Sequence, residues 1–307
     1  MRKWHQKAIV QKIISYLPFS HQINFLFQKY VTKGVALTDA YFANRLTQAA
    51  KHIDVFEKYA LGKTLESTLE LGTGWYPVVP VSLFLRGAQT IHTVDLSAHC
   101  SGNNILTTLR MFKSYRESGK LGRFIDVRPD RWSKLSYLLD QGAALTKEEL
   151  LRNLRIDYVV ADARRLALPA RSVSLITSNS TFEHIYPAVL REILAEMRRV
   201  SAAGGVMSHV IDMSDHFANL DRSITIYNYL QYSRRQWQLI DNAIQPQNRL
   251  RISDYRTMYA ELGIPITEEL CQVGSMQDLA RVKVHPEFAG IPPVDLAVRE
   301  CQLVSKM

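Results

Sequence analysis

The sequence contains no run of about 18 consecutive apolar residues, which is the length that a membrane-spanning helix needs. It also lacks low-complexity tracts and internal repeats of about 20–50 residues, which argues against solenoid and fibrous architectures. The N-terminus is basic, but no small-residue cleavage site follows its short apolar stretch, so we expect no signal peptide. With 307 residues, 47% of them hydrophobic and 22% charged, the chain has the composition of a globular enzyme with a large core.

Cysteine is scarce, with Cys100, Cys271 and Cys301 as its only occurrences. Their odd number and wide spacing predict neither a disulfide framework nor a zinc site. Scattered cysteines of this kind fit a reducing compartment, so we expect a cytoplasmic protein.

Acidic residues are the minority among the charged ones, and the net charge is +9. Such an excess suits anionic partners, namely nucleic acid, phosphorylated sugars or an anionic membrane surface, and does not choose among them.

The first 62 residues are predicted to form a helical N-terminal cap. Ile9, Ile13 and Ile14 recur at helical spacing together with Leu17, and Pro18 ends that segment. A second helix is predicted to begin at Thr38 or Asp39 and to stop at Gly62.

From Leu65 onward, short apolar strands alternate with helices, which predicts a doubly wound, mostly parallel α/β sheet in a domain spanning 63–307. A strand pair near the C-terminus brings the expected total to seven. The predicted strands are 68–71, 90–97, 156–163, 172–180, 206–212 and the two segments 265–273 and 295–307. Two insertions, about 101–155 and 216–263, exceed the minimal pattern and are expected to shape the substrate side.

The turn after the first predicted strand reads LELGTGWYP, from Leu69 to Pro77. A dinucleotide fingerprint would place a third glycine where this chain has Pro77, and it does not need the acidic Glu70 before the first glycine. A cofactor with an ammonium group and a cationic sulfur has more use for a nearby carboxylate than a pyrophosphate has. The turn therefore favours a sulfonium cofactor over NAD.

With these segments in order, residues from Leu65 to about Asp212 resemble the class I S-adenosylmethionine-dependent methyltransferases. Glu70-Leu71-Gly72-Thr73-Gly74 is similar to the family's E/DxGxG motif, and Ser178–Ile185 (SNSTFEHI) to the segment after its fourth strand. The resemblance implies a seven-stranded Rossmann-like sheet and S-adenosyl-L-methionine as the cofactor. The cofactor residues it implies are Glu70, Gly72, Thr73, Gly74, Asp95, Leu96, Asp162, Ala163 and Asn179. Asp157 is the alternative to Asp162, because an insertion precedes this strand.

Methyl transfer to a hydroxyl requires alignment of the acceptor and removal of its proton, a task that suits a base titrating near neutrality. His184, His216 and Asp212 follow predicted strands and are the candidate catalytic residues, whereas His209 is expected to lie in the core. The spacing of His209, Asp212 and His216 is open to a reading as metal ligands, but no fourth ligand is evident, so no metal is expected.

For the acceptor, the sequence favours a hydroxyl of a small molecule or a glycan-type compound. No (D/N)PP(Y/F) segment follows the fourth strand, which disfavours methylation of nucleic-acid bases. An RNA methyltransferase and a Rossmann-type oxidoreductase remain the alternatives. Peripheral membrane contact through residues 1–30 is the alternative to an N-terminal cap, and the sequence does not determine the oligomeric state.

Overall fold

Seven strands form one sheet in a computed structural model that describes residues 3–16, 36–243 and 245–307. The strands are β1 (Ser67–Leu71), β2 (Thr90–Asp95), β3 (Ile156–Val160), β4 (Val173–Asn179), β5 (Ser201–Asp212), β6 (Glu268–Val273) and β7 (Val298–Lys306). Their order across the sheet is β3-β2-β1-β4-β5-β7-β6. The first five are parallel, and β7 pairs antiparallel with both β5 and β6. The predicted α/β fold class, a doubly wound, mostly parallel sheet, is confirmed.

Helices cover both faces of this sheet. They are α1 (Lys3–Ser15), α2 (Asp39–Tyr59), α3 (Val78–Arg86), α4 (Gly102–Glu117), α5 (Pro129–Gln141), α6 (Lys147–Asn153), α7 (Pro187–Val200), α8 (Arg234–Ile240), α9 (Ile252–Glu261), α10 (Met276–Ala280) and α11 (Pro293–Leu296). Because both faces are covered, β4 is buried along its whole length, as its apolar sequence suggests. None of the helices in the described ranges is long and apolar enough to span a bilayer.

Helix α2 belongs to one of the layers that cover the sheet. Thr38 caps its N-terminus by accepting a hydrogen bond from the Tyr41 backbone N–H, at the predicted start. Its residues Phe42, Leu46 and Ile53 join the same hydrophobic cluster as side chains from the sheet. The polar side chains that α2 carries on this buried face are therefore held rigidly against the strands.

Helix α1 packs elsewhere. Trp4 and Ala8 are buried against Phe217 and Trp237 of the second insertion, in a cluster separate from the two that flank the sheet. The apolar stripe of α1 is thus buried in part, because Trp4 and Ile14 are buried whereas Ile9 and Ile13 are exposed. The predicted end of this helix at Pro18 and the apolar segment that follows lie outside the described residues.

The expectation that the cysteines form no disulfide is wrong. Cys271 on β6 and Cys301 on β7 face each other across two antiparallel strands, with Cα atoms 4.0 Å apart, and their sulfurs are bonded. The register of the strands brings them together, and spacing along the sequence carries no information about that register. Cys100 is buried and has a free thiol.

Arg251, at the start of α9, fixes the second insertion to the sheet. It is fully buried, and its guanidinium donates hydrogen bonds to the carbonyl oxygens of Met213 and Leu296, each over 2.7 Å, and to that of Val298. Met213 directly follows β5, so the loop that leaves the carboxyl end of this strand is held in one position.

Candidate functional site

The glycine turn after β1 has little tolerance for side chains. A Cβ on Gly72, where φ is +81°, would lie 2.4 Å from the Thr181 hydroxyl oxygen, so the loop after β4 packs directly on this backbone. Gly74 also has a positive φ, of +69°, but the space a Cβ would enter there is open among the described residues. The Gly74 N–H donates to the Asp95 carboxylate over 3.2 Å, which joins the turn to the end of β2.

Two buried acids flank this turn, one on each of two neighbouring strands. Glu70 is 3% exposed and accepts a hydrogen bond of 2.8 Å from the Thr73 hydroxyl. Burial raises the pKa of Glu70 to about 7 and that of Asp95 to about 6. Hydroxyl donors or a cationic group placed beside these acids would favour their ionised forms. The open space at Gly74 and these carboxylates therefore fit the ammonium group and ribose hydroxyls of the cofactor implied by the sequence.

Two exposed apolar side chains, Leu96 and Val160, lie next to Asp95. Leu96 is 80% exposed, and Val160, which pairs with Asp95 across β2 and β3, is 48% exposed. Exposed apolar side chains at adjacent strand ends offer a surface for a flat ring such as adenine. Ala163, also implied by the sequence, is buried close by in the chain.

Asp162 follows β3 as expected, but its carboxylate is not free. Arg164 binds it through Nε and Nη2, the Nε contact being 2.8 Å, and this pairing lowers the pKa of Asp162 to about 2. The expected contact of this acid with the adenine therefore requires Arg164 to release it. The alternative, Asp157, lies at the start of β3 and pairs with His92 over 3.1 Å.

The three candidate catalytic residues meet where β4 and β5 end. His184 lies in a single 3-10 turn, Phe182–His184, and His216 begins another turn after β5. The His184 and His216 ring centroids are 5.0 Å apart, and His216 Nε2 lies 3.3 Å from Asp212 Oδ2. The structure thus gathers residues that are 32 positions apart in the sequence, and it adds a fourth, the buried Glu183.

The pKa values of His184, Glu183 and Asp212 are shifted in different directions. Burial lowers the pKa of His184 to about 4, so this ring is neutral at physiological pH. Burial and the nearby Asp212 raise the pKa of Glu183 well above its ordinary range. Burial alone would raise the pKa of Asp212, but His216 and the hydrogen bonds from Ser214 lower it. Asp212 is therefore the ionised partner of His216.

Comparison with known proteins gives the same picture of the domain. Residues 136–208, which run from α5 through β3 and β4 into β5, match a family model described as a methyltransferase domain. The match covers part of the chain only, and it agrees with the resemblance to S-adenosylmethionine-dependent methyltransferases that the sequence motifs carry. A search of the curated proteins finds no match.

Solved structures similar to this methyltransferase share little sequence with it. An S-adenosylmethionine-dependent methyltransferase from Mesorhizobium loti is 12% identical, with a TM-score of 0.44 over 85% of this chain and 100% of that one. Geranyl diphosphate C-methyltransferase from Streptomyces coelicolor A3(2) is 12% identical, with a TM-score of 0.45 over 84% and 79%. A methyltransferase from Aquifex aeolicus is 11% identical, with a TM-score of 0.40 over 85% and 89%. At these identities the likeness concerns the fold alone.

Sequence reasoning missed two residues of the methyltransferase site that come from α2. His52 is fully buried and bonds through Nε2 to Asn179 Oδ1 over 3.0 Å and through Nδ1 to Ser208 Oγ over 2.8 Å. Burial lowers the pKa of His52 to about 4. Arg45 donates from Nη1 to the Asn179 carbonyl oxygen over 3.3 Å. Asn179, implied as a cofactor residue, is thus oriented by α2. A histidine on an otherwise apolar helix face was the one available signal.

Other side chains weighed at the sequence level lie outside this centre. His209 is fully buried, bonds to Ser178 Oγ over 2.8 Å and stacks on Phe182, as expected of a core histidine. Tyr227 is fully buried and donates its hydroxyl to the Ala297 carbonyl oxygen, so it is not available as a base. In the glycine turn, the Trp75 ring lies 4.7 Å from that of His99.

A small cavity of about 20 Å³ adjoins His216. This volume accommodates a group of about the size of one water molecule or hydroxyl. Its walls come from α1 and from the second insertion, and they combine aromatic rings with amide and charged groups. The lining residues include Gln11, Trp237, Asp241, Asn242 and Gln247.

The raised pKa of Glu70 should make the free energy of unfolding depend on pH, and Glu70→Gln should remove this dependence. Its folded pKa of about 7 lies above the ordinary 4.5, so between these values the folded state holds a proton that the unfolded state has lost. Stability from this group is therefore lost as the pH rises through the window. Relative to wild type, Glu70→Gln should gain on the order of 3 kcal/mol of unfolding free energy across it.

Denaturant unfolding at several pH values checks this difference. The comparison must be with the variant, because His52, His184 and His209 are buried neutral and titrate with the opposite sign. Glu66→Gln, at an exposed glutamate next to β1, provides the baseline. A constant offset between Glu70→Gln and wild type at all pH values would show that folding does not shift the pKa of Glu70.

Proposed function

We propose that this methyltransferase transfers a methyl group to a hydroxyl of a small-molecule or glycan-type acceptor. The observation that carries the proposal is the meeting of His184, His216 and Asp212 at the carboxyl ends of β4 and β5, next to a small cavity. In open α/β sheets, ligands bind outside the carboxyl ends of the strands.

The cofactor site that we propose lies over β1 and β2. Asp95 accepts hydrogen bonds from the ribose hydroxyls, and Glu70 holds the turn of Gly72, Thr73 and Gly74 through the Thr73 hydroxyl. The remaining members of the site follow β2, β3 and β4, and they are Leu96, Asp162, Ala163 and Asn179. When bound, S-adenosylmethionine supplies a methyl group on a positively charged sulfur, which is a good leaving group.

The reaction forms one bond between the acceptor oxygen and the methyl carbon and breaks the bond between that carbon and sulfur, whose electrons pass to sulfur. The hydroxyl proton must leave at the same time, and His216 with Asp212 is placed to receive it. Because Asp212 is ionised beside His216, it stabilises the imidazolium that would form. His184 is neutral and orients the acceptor oxygen.

The cavity supports a hydroxyl-bearing acceptor. Amide side chains of Gln11, Asn242 and Gln247 and the carboxylate of Asp241 surround it, with the indole of Trp237 on one side. Amides and carboxylates hydrogen-bond hydroxyl groups, so these side chains are suited to receive one hydroxyl group of the acceptor.

The basic residues of the first insertion give little support to RNA as the acceptor. Arg116 stacks on Trp132 at 4.5 Å, Arg131 is buried against Phe84, and Arg128 pairs with Asp130. These three cations thus take part in packing or ion pairs around α4 and α5, whereas Arg110, Lys120 and Arg123 are exposed, so RNA stays the alternative acceptor.

The N-terminal helices remain part of the proposal. We propose that residues 1–62 form a cap, with α1 closing the acceptor side through Lys12, whose ammonium donates to the Gln238 and Asp241 carbonyl oxygens. Removal of residues 1–36 should then weaken acceptor binding, and strong sedimentation of the intact protein with anionic vesicles would instead support membrane contact by residues 1–30.

A pair of measurements tests the proposed function. S-adenosylmethionine and its demethylated product should raise the melting temperature of the protein, whereas NAD and NADP should not. Comparison of metabolites and glycans between a deletion strain and its parent should then reveal an acceptor that has lost one CH2 of mass at an oxygen. Loss of a methyl group from a nitrogen of RNA, with no change among hydroxylated compounds, would overturn the proposed acceptor class.

A further inference from the structure

Four side chains able to bind a metal ion meet at the ends of β4 and β5. One ligand atom from each of Glu183, His184 and His216 lies within 4.8 Å of the other two. Asp212 Oδ2 lies 3.3 Å from His216 Nε2 and adds a second carboxylate. Two imidazoles and two carboxylates supply the number of donors that a four-coordinate site needs.

Glu183 is the least explained member of this group. It is 2% exposed, and neither of its carboxylate oxygens accepts a hydrogen bond from the part of the chain that the structure describes. A buried carboxylate without a partner is strongly unfavourable, so such groups are usually paired with a cation or bound to a metal. Its neighbours in this group are two histidines and another acid, and the one cation whose charge acts on it, Arg45, donates a hydrogen bond to the Asn179 carbonyl oxygen and not to Glu183.

One ring nitrogen of each histidine lies among these ligand atoms. His184 Nδ1 lies 2.7 Å from the Pro246 carbonyl oxygen, which can only accept, so Nδ1 carries the hydrogen and Nε2 keeps a lone pair. Metal-bound histidines typically use their second nitrogen in this way. His216 Nε2 is buried and, within the described ranges, makes no hydrogen bond of good geometry.

We propose that Glu183, His184, His216 and Asp212 bind one divalent first-row transition-metal ion, of the class of Mn²⁺, Fe²⁺, Co²⁺ and Zn²⁺. Mixed nitrogen and oxygen donors suit these ions, whereas Mg²⁺ and Ca²⁺ prefer oxygen alone. With metal–ligand bonds of about 2.0–2.2 Å, opposite donors lie at most about 4.4 Å apart, so the side chains close in by a few tenths of an ångström on binding.

The role of the ion, although not its presence, rests on the proposed function. Expansion to a fifth coordination position on the side of the cavity would take the acceptor's hydroxyl oxygen and make it more acidic. The O–H bond then breaks with its electrons left on oxygen, the proton passes to a solvent water, and oxygen forms the bond to the methyl carbon as the sulfur leaves. The four side chains would in this case act as ligands, and His216 would not itself take the proton.

Metal binding is measured on the full chain without an affinity tag, in the absence of cofactor and reductant. Equilibrium dialysis against Co²⁺, Zn²⁺ and Mn²⁺ should give one bound ion per chain, and Co²⁺ should develop the visible absorption of a nitrogen- and oxygen-ligated site. Glu183→Gln, which keeps the size of the side chain, and His216→Gln should each weaken binding by about 10–100-fold or more. Mg²⁺ should compete poorly.

Two controls separate this site from other candidates. His92→Gln removes a histidine paired with Asp157 on β3, a histidine–carboxylate pair outside the cluster, and should bind metal as wild type does. Cys271→Ser disrupts the Glu269, Cys271 and Cys301 group, which also has the spacing of a metal site, and should leave binding unchanged. Unchanged metal affinity in a folded Glu183→Gln, His216→Gln double variant, or no binding of any of the three ions by wild type, would overturn the proposal.

Calorimetric titration of the same variants with S-adenosylmethionine keeps the two proposals apart. Glu183→Gln should bind this cofactor with wild-type affinity, because Glu183 is not one of the proposed cofactor contacts. Metal binding without cofactor binding would overturn the proposed function and support the metal site. Cofactor binding without metal binding would overturn the metal site and support the proposed function.

Discussion

Replacing His216 with alanine is expected to lower turnover by about 10²–10⁴, with cofactor affinity nearly unchanged. His216 lies 3.3 Å from the ionised Asp212 and lines the cavity that we assign to the acceptor. Without His216 the site loses its proton acceptor or, if His216 is a metal ligand, the bound ion. The turn of Gly72 and Gly74 stays intact. His184→Ala should have an effect of similar size, because this ring faces His216 at 5.0 Å.

Single-turnover kinetics with a hydroxyl acceptor, together with calorimetric titration of the cofactor, measures both quantities. His92→Gln, which alters a histidine–carboxylate pair outside the site, is the matched control and should keep normal turnover. Near-normal turnover in both His216→Ala and His184→Ala would mean that the protein contributes alignment of the two reactants and no proton transfer.

Asp95→Ala is expected to weaken S-adenosylmethionine binding by one or two charge-assisted hydrogen bonds, about 1.5–3 kcal/mol for each bond. This corresponds to roughly 10–150-fold in affinity for a single bond. Asp95 is buried at the end of β2, next to Leu96, and it also accepts from the Gly74 N–H. Asp95→Asn keeps an oxygen that can accept from Gly74, so it isolates the contribution of the charge.

The pH dependence of cofactor affinity gives this prediction a second readout. Because burial raises the pKa of Asp95 to about 6, the free protein must lose a proton before Asp95 can bind as a carboxylate. Affinity should therefore fall as the pH drops through about 6, and this dependence should be weaker in Asp95→Asn. Wild-type affinity in both variants, measured by calorimetry, would show that the ribose hydroxyls are bound by other residues.

Sequence order alone predicted most of the sheet. Parallel strands in a doubly wound fold end at the same edge, so the acids and glycines after β1, β2 and β4 were expected to lie together. Local sequence pattern determines where Glu70, Gly72 and Asp95 lie, because each is at the end of a strand or directly after it. The helix start at Thr38 was predictable for the same reason, since a cap depends on residues only a few positions away.

Tertiary structure decided everything that depends on register and on long-range packing. The bond between Cys271 and Cys301 follows from the alignment of β6 with β7, and the approach of His52 to Asn179 follows from the docking of α2 on β4 and β5. The pairing of Asp162 with Arg164, by contrast, joins residues two positions apart and is a local contact.

The grouping of Glu183 with His184, His216 and Asp212 shows the same division. The sequence determined that histidines and acids follow β4 and β5, because strand ends were readable from the apolar pattern. Only the folded chain shows that, among the described residues, no group donates a hydrogen bond to the buried Glu183 carboxylate and that the Pro246 carbonyl fixes the ring nitrogen that His184 presents. The physical reason is that burial and hydrogen-bond partners depend on segments brought together by folding, which no local pattern records.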